Sequence, residues 1–452
     1  MDLIKKLGDR KHRFRDPIYG FIELNDSELK IIDTPIFQRL RRVHQLALTK
    51  YVYPSAEHSR FTHSMGVMQV ATEIFLNIYR NSDHALLSKF AENRTDDIAQ
   101  KLQILRFATL LHDVGHLPFS HAAENMILEG KASHEQLGQY IINNYPPIRQ
   151  AIKEKGIDPK MVAMLLDDKP LGDYFILKNI VSGQLDADRA DYLLRDSYTC
   201  GVKYGEYDYK RYIQSFFLRE NKYGQPQLCI EEKNIYLVEA FLMARYHYNL
   251  QVPYHRTRSG YDIALKKYIE HLKVENNFPE FLKFGATGNI ESLDFDQFEL
   301  FDDNSIFELI KTDYKKGGNI WAKMLMRQEH LVPVFDHIKT TGGDNFYQYK
   351  NIINDLKKNN LIEDQDFFKY EKTLLVSKLL QKGDDGGDDK YPLGLIVNDR
   401  SGPGNILDYS NILGQLEKPI ELFRIYVLKK YKETALELKK KAFEFFSELK
   451  DA

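Results

Sequence analysis

At 452 residues, with 43% apolar and 28% charged side chains, the chain has the composition of a globular protein. It is longer than one hydrophobic core usually fills, so one composite domain or two domains are expected. The formal charge of −2 excludes a strongly basic nucleic-acid binder; nucleic acid is left open as a partner but is not indicated. The two cysteines, Cys200 and Cys229, lack metal-type spacing, which argues against a thiolate zinc site and for a reducing compartment. The opening MDLIKKLGDRKHRFRDP has no apolar core of signal type, and no apolar run reaches membrane-spanning length, so a cytoplasmic protein without a membrane partner is expected.

In chain order, Gly20–Leu24 is β-prone, and apolar residues at three- and four-residue spacing predict helices over Phe61–Tyr79, Ile98–Leu111, Ser120–Leu128 and Leu185–Arg195. Ser133 followed by Gln136 reads as a capping box that starts a helix at His134. Gln227–Glu231 and Phe423–Val427 are further β-prone pieces. Gly285–Asp303 is polar punctuation, and the KGDDGGDDK stretch at 382–390 reads as a charged loop tip. The lysine-rich Lys429–Leu449 predicts a last helix with a solvated face. The fold class is mainly α: a helical core with small β ribbons and an α-rich C-terminal region.

The chemistry concentrates between Arg60 and Asp196. His63 lies near a helix start, His112 and Asp113 at the end of an apolar helix, and Asp188 on a later helix. Two imidazoles and two carboxylates can converge on one divalent cation, with manganese, iron or zinc suited and magnesium less so. Neighbouring side chains diverge by about 100° within a helix, so His112 and Asp113 can share an ion only where the helix unwinds, as Val114-Gly115 allows. Further on, His121 and Glu124 are spaced to hydrogen-bond at i,i+3 after a helix start placed just before Ser120. A carboxylate on one imidazole nitrogen raises the basicity of the other, as a general acid for an alkoxide leaving group requires. His116 precedes this pair, and His134 can return to the same pocket. Asp188, Tyr192 and Asp196 stand on one helical face at i, i+4 and i+8, whereas Asp186 and Asp191 are expected to cap or salt-bridge.

These residues resemble the HD superfamily, and more narrowly its deoxynucleoside triphosphate triphosphohydrolases. The likeness runs through FRDPIYGFIEL, DTPIFQRLRRVHQL, EHSRFTHSMGV, LLHDVGHLPFSH, SHEQ, LDADRADYLLRD and RYHYNLQVPYHRTR, with a weaker return at ELFRIYVLKKY. The animal-cell relatives add a sterile-alpha-motif domain, which the residues before Phe14 are too few to form. The resemblance implies that His63, His112, Asp113 and Asp188 bind one divalent metal, and that magnesium can accompany the nucleotide phosphates. It implies that Arg60, His116 and His134 contact phosphates, that His121 and Glu124 donate the proton, and that Arg245 reaches the β- and γ-phosphates. Gln45 would read the 3′-hydroxyl, while Leu46, Tyr192 and Asp196 line the sugar pocket. Relatives carry a tyrosine at the position of Pro253; here it is displaced to Tyr254, which weakens the expected exclusion of a 2′-hydroxyl.

The same likeness implies a homotetramer activated by a guanine nucleotide or a deoxynucleotide. Asp33, Gln38 and Arg41 match the positions that read an activating guanine, and Arg211, Lys233, His255 and Arg256 match its surround. Glu231 and Arg15 depart from that pattern. The implied organisation is an N-terminal segment (1–48) with activator contacts, a catalytic core (49–215), and a C-terminal region (216–452) completing the active site and the oligomer interface. The expected activity is hydrolysis of deoxynucleoside triphosphates to deoxynucleoside and triphosphate. The alternatives are another HD phosphohydrolase (a nucleotidase, or a cyclic-nucleotide or alarmone hydrolase) and a non-catalytic nucleotide-sensing oligomer.

Overall fold

The computed structural model describes residues 12–90, 95–128, 132–167, 174–220, 226–275, 281–284, 290–340, 367–376, 397–398, 402–403, 409–416, 419–429, 433 and 440. The 382–390 loop and nearly all of the expected last helix lie outside these residues, as do residues 285–289 of the Gly285–Asp303 stretch. The rest of that stretch contains a short strand, Ile290–Leu293, and a helical turn, Phe295–Phe298.

The described residues are mainly helical. The chain enters through an antiparallel hairpin, β1 (His12–Asp16) and β2 (Gly20–Leu24), then a capped helix α1 (Asp26–Ile32) and a short α2 (Pro35–Arg39). The core is built on α3 (Arg60–Asn81) and α4 (Thr95–Leu111), which pack against each other. In α3 the residues from Phe61 to Ile78 are almost all buried, as expected for a helix apolar around most of its circumference. Next come α5 (His134–Asn144) and α6 (Ala187–Cys200), the latter capped by Asp186, whose side chain accepts from the Arg189 amide.

A hairpin, β3 (Phe216–Glu220) with β4 (Pro226–Ile230), leads to α7 (Ile235–Gln251), α8 (Arg256–Val274) and α9 (Asp303–Lys316). A three-stranded antiparallel sheet follows, with β7 (Ile420–Val427) between β5 (Val332–Thr340) and β6 (Phe367–Leu374). Buried Arg424 ties this sheet to the helices. It donates to Asp336 at 2.6 Å, to the Tyr254 carbonyl at 2.6 Å and to Ser259 at 3.1 Å.

Most of the expected elements form where periodicity places them. One differs. Ser120–Leu128 is a 3-10 turn, Ser120–Ala122, followed by a single helical turn, Glu124–Ile127. Phe119 and Ser120 carry positive φ (58° and 52°), so no helix can begin just before Ser120. At Ser133 the side chain caps the Gln136 amide, as half of the expected box.

The N-terminal segment is locked to the core by a buried ionic network. Glu28 and Arg106 are fully buried and paired through two bonds of 2.7 Å. Gln103 donates to Glu28, Asn25 donates to Gln103, and Arg106 also reaches Thr72 and the Glu23 carbonyl. Burial pushes the Glu28 carboxyl up, but the Arg106 guanidinium outweighs it and holds the pKa below the usual carboxylate value. Glu28→Gln leaves Arg106 buried without its counter-charge, and a loss of about 3–5 kcal/mol is expected, read as a lowered urea midpoint. Because the folded pKa is depressed, the ionised pair stabilises at pH above the unfolded Glu value. The gap between wild type and variant should therefore narrow as the pH falls through the folded pKa.

Candidate active site

The helix ends where the sequence reading needed it to: α4 stops at Leu111, and residues 112–115 form a turn. Gly115 permits this turn to press on the start of α5, where a Cβ would overlap the His134 carbonyl and the Gly138 amide. His63, His112 and Asp188 bring one potential ligand atom each within 4.8 Å of one another. His63 Nε2 is 3.0 Å from Asp188 Oδ1 and 3.7 Å from Asp113 Oδ2, and His112 Nε2 is 3.3 Å from Asp113 Oδ1.

The tautomers suit a cation. His112 Nδ1 is 2.7 Å from the Thr109 carbonyl, which can only accept, so Nδ1 carries the proton. Its Nε2 is buried and has no hydrogen-bond partner among the described residues, a lone pair facing the cluster. His63 Nδ1 likewise donates to Asp191 at 2.8 Å. Burial pushes the His63 pKa down, but the bonds to Asp188 and Asp191 outweigh it and push it up to about 10. The fourth expected ligand, Asp113, is already engaged: Arg60 donates to its Oδ2 at 2.5 Å, and His116 Nε2 lies 3.2 Å from its Oδ1. Burial raises the Asp113 pKa, and Arg60, His112 and His116 together hold it well below the usual range.

Beside this cluster Glu124 serves two imidazoles. His121 Nδ1 donates to Oε2 at 2.9 Å, and His134 donates to Oε1 through Nδ1 at 2.7 Å and through its amide at 2.9 Å. His116 stacks on His134 at 3.8 Å between ring centroids. Burial raises the Glu124 pKa, but these bonds hold it far below the carboxylate range. Burial also lowers His134, while Glu124 raises it on balance; His116 is pushed well below its ordinary value by burial, Arg60 and His134. The His121 side chain is 68% exposed.

The turn that aims His121 is held from far along the chain. The Phe119 amide donates to Asp303 Oδ1 at 2.7 Å, and Asp303 Oδ2 accepts from the His44 ring and amide. Buried Arg39 donates to the Val114 and His116 carbonyls at 3.1 and 2.6 Å and to Phe301 at 2.9 Å. Asp303 and Arg39 were not singled out from sequence, since nothing local marks them.

A cavity of about 820 Å³ opens over these groups. Its lining includes Gln45, Leu46, Arg60, Tyr192, Asp196, Arg245 and Tyr254, so the structure brings these expected substrate-side residues together, along with Pro253. Among the described residues the Gln45 side-chain carbonyl oxygen is buried without a partner, as are Nε and Nη1 of Arg245. Asp196 is bonded to His58 at 2.6 Å and to the Tyr248 hydroxyl, two groups that the sequence reading missed. Strand β6 closes one side through Lys369–Leu374, with Leu375 just beyond it.

Asp33 and Arg41 are exposed and Gln38 is half-buried. Arg41 donates to the Gln38 side chain at 2.7 Å and lies 3.6 Å over the Phe61 ring. Arg211 and Arg256 are exposed, exposed Lys233 pairs with Glu231 at 2.5 Å, and His255 caps α8. Among the described residues no helix is long and apolar enough to cross a membrane.

Residues 60–196 match the HD domain. Over 253 residues the chain is 37% identical to an uncharacterized protein of Methanocaldococcus jannaschii, covering 56% of this chain and 48% of that one. It is 32% identical over 251 residues to the deoxynucleoside triphosphate triphosphohydrolase SAMHD1 of Homo sapiens, covering 49% and 38%. The chain spans about half the length of the curated relatives it matches. A crystal structure of a hypothetical protein of Aquifex aeolicus superposes with a TM-score of 0.72 at 25% identity, over 94% of this chain and 99% of that one. A phosphohydrolase of Bacteroides thetaiotaomicron shares the fold, with a TM-score of 0.66 at 22% identity, over 92% and 100%. The chain carries an HD domain over residues 60–196 and resembles the deoxynucleoside triphosphate triphosphohydrolases of that superfamily.

Proposed function

We propose that this protein is a metal-dependent phosphohydrolase that splits deoxynucleoside triphosphates into deoxynucleoside and inorganic triphosphate. The observation that carries the reading is the pairing of two adjacent sites in one cavity. One is a cation cluster with an unpartnered imidazole lone pair on His112; the other is an accessible imidazole, His121, backed by Glu124. The resemblance to a protein named for this activity supports it.

His63, His112, Asp113 and Asp188 would hold the cation. When bound there, a divalent ion supplies Lewis acidity toward a phosphoryl oxygen. The chain supplies the rest. Arg245, with two guanidinium nitrogens unpartnered among the described residues, sets positive charge toward the phosphates together with Arg60 and His134, and the neutral His116 ring contacts them. The Gln45 carbonyl oxygen accepts from the 3′-hydroxyl, with Leu46, Tyr192, Asp196 and Tyr254 packing around the sugar. His121 protonates the departing 5′-oxygen, and Glu124 holds its Nδ1–H so that Nε2 is the nitrogen that delivers the proton. The Asp33, Gln38 and Arg41 patch, with Arg211, Lys233, His255 and Arg256, takes an activating nucleotide in a homotetramer; oligomer mass with and without a guanine nucleotide tests this. The setting is cytoplasmic, and residues 49–215 form the catalytic core.

The Asp191 carboxylate fixes the His63 tautomer. Asp191→Asn should therefore weaken the bound metal by about 10–100-fold, read by chelator competition on the purified protein. Unchanged metal affinity would show that His63 is oriented by packing alone.

His121→Ala should keep the metal and bind substrate, yet slow single-turnover release of triphosphate by about 10²–10⁴-fold. Glu124→Gln should fall nearly as far. Glutamine offers one acceptor where the two imidazole N–H groups and the His134 amide require a carboxylate's two oxygens. A fully active His121→Ala protein, or a mononucleotide as first product, would overturn the assignment.

A further inference from the structure

Resting on the reading above and extending it, we propose that Asp262 and Arg258 read guanine as the preferred base of the substrate. The two residues stand one turn apart on α8, both are 9% exposed, and both line the cavity. Arg258 Nη1 lies 3.1 Å from Asp262 Oδ2 and also donates to the Pro253 carbonyl. The other halves of both groups are buried and unsatisfied: Asp262 Oδ1 and Arg258 Nε have no hydrogen-bond partner among the described residues. A buried polar atom without a partner is costly, so a ligand that completes it gains correspondingly.

Two other carboxylates of the cavity are already engaged. Asp113 accepts from Arg60, and Asp196 is filled by His58 and Tyr248. Among the described residues, Asp262 is not part of the imidazole clusters that can hold a cation. Burial holds its carboxyl above the usual carboxylate range despite Arg258 and Lys372. Further donors from a ligand would favour the ionised form.

A polyphosphate offers this carboxylate only like charge, and the N–H donors of a deoxynucleotide are all on its base. Guanine presents N1–H and a 2-amino N–H side by side, which one carboxylate oxygen or the pair can accept. Its O6 and N7 accept from a guanidinium. Adenine places an unprotonated ring nitrogen against the carboxylate, and the N3–H of thymine is flanked by two carbonyl oxygens. Tyr254 and Tyr370 line the same cavity, with aromatic faces available to a purine.

The test is internal competition: dGTP is mixed in one tube with dATP, dTTP or dITP, with manganese present, and the kcat/KM ratio is read from the products. Activator occupancy and folded fraction are common to both substrates and cancel. The wild type should prefer dGTP over dATP, and over dITP, which lacks the 2-amino group, by about 10-fold or more each. Asp262→Asn should lower the dGTP-to-dATP ratio by about 10-fold. A wild-type ratio near unity, or one unchanged in Asp262→Asn, overturns the proposal. If none of the deoxynucleotides is turned over, the hydrolase reading fails by itself. Calorimetry of dGTP and dATP on the metal-loaded protein then decides the base assignment. A dGTP preference lost in Asp262→Asn upholds it, and equal binding overturns it.

Discussion

The arrangement depends on one buried carboxylate. Asp191 accepts from His63 Nδ1 at 2.8 Å and from Nε and Nη2 of Arg195, also at 2.8 Å. It can do so because α3 and α6 approach closely at Gly66, where a Cβ would overlap Asp191 and Arg195. Arg195 in turn donates to Asp16 at 2.8 Å, and Asp16 accepts from the amides of Ile18 and Tyr19 in the hairpin turn. One line of charge therefore runs from the N-terminal hairpin through α6 to the imidazole of the cation cluster. Removing a member leaves an uncompensated buried charge, which is strongly destabilising. The site and the packing of the helices that carry it are thus one structure.

How much of this the sequence disclosed varies by residue. Helices with strong periodicity, such as α3 and α4, could be read directly, as could the need for the backbone to unwind after Leu111 so that His112 and Asp113 share a site. Asp191 was assigned to salt-bridging, and it does pair with Arg195. Its second role, toward His63, required knowing how α3 and α6 cross. The segment from Ser120 read as a helix because its apolar spacing is helical. What overrides that spacing is the bond from the Phe119 amide to Asp303, 184 residues away. Strand β7 was legible in part as an apolar run, while β5 and β6 carry enough charged and polar residues to hide their β character.

The pairing of His121 with Glu124 was legible from spacing, but the sharing of Glu124 with His134 was not. That sharing alters the chemistry. Two imidazoles draw on one carboxylate, so its two oxygens are divided between them, and the stacked, neutral-leaning His116 lies against the second of them. The exposed member is the one that can deliver a proton and be recharged from solvent, while His134 stays fixed at the start of α5.

The central claim is that the bond between the α-phosphorus and the 5′-oxygen breaks, with His121 protonating the oxygen that leaves. Turnover of a deoxynucleoside triphosphate in ¹⁸O-labelled water, followed by mass spectrometry of both products, tests this most directly. The account predicts one labelled oxygen in the released triphosphate and none in the deoxynucleoside. Label in the 5′-hydroxyl of the deoxynucleoside, or a labelled orthophosphate or pyrophosphate in place of triphosphate, would contradict it.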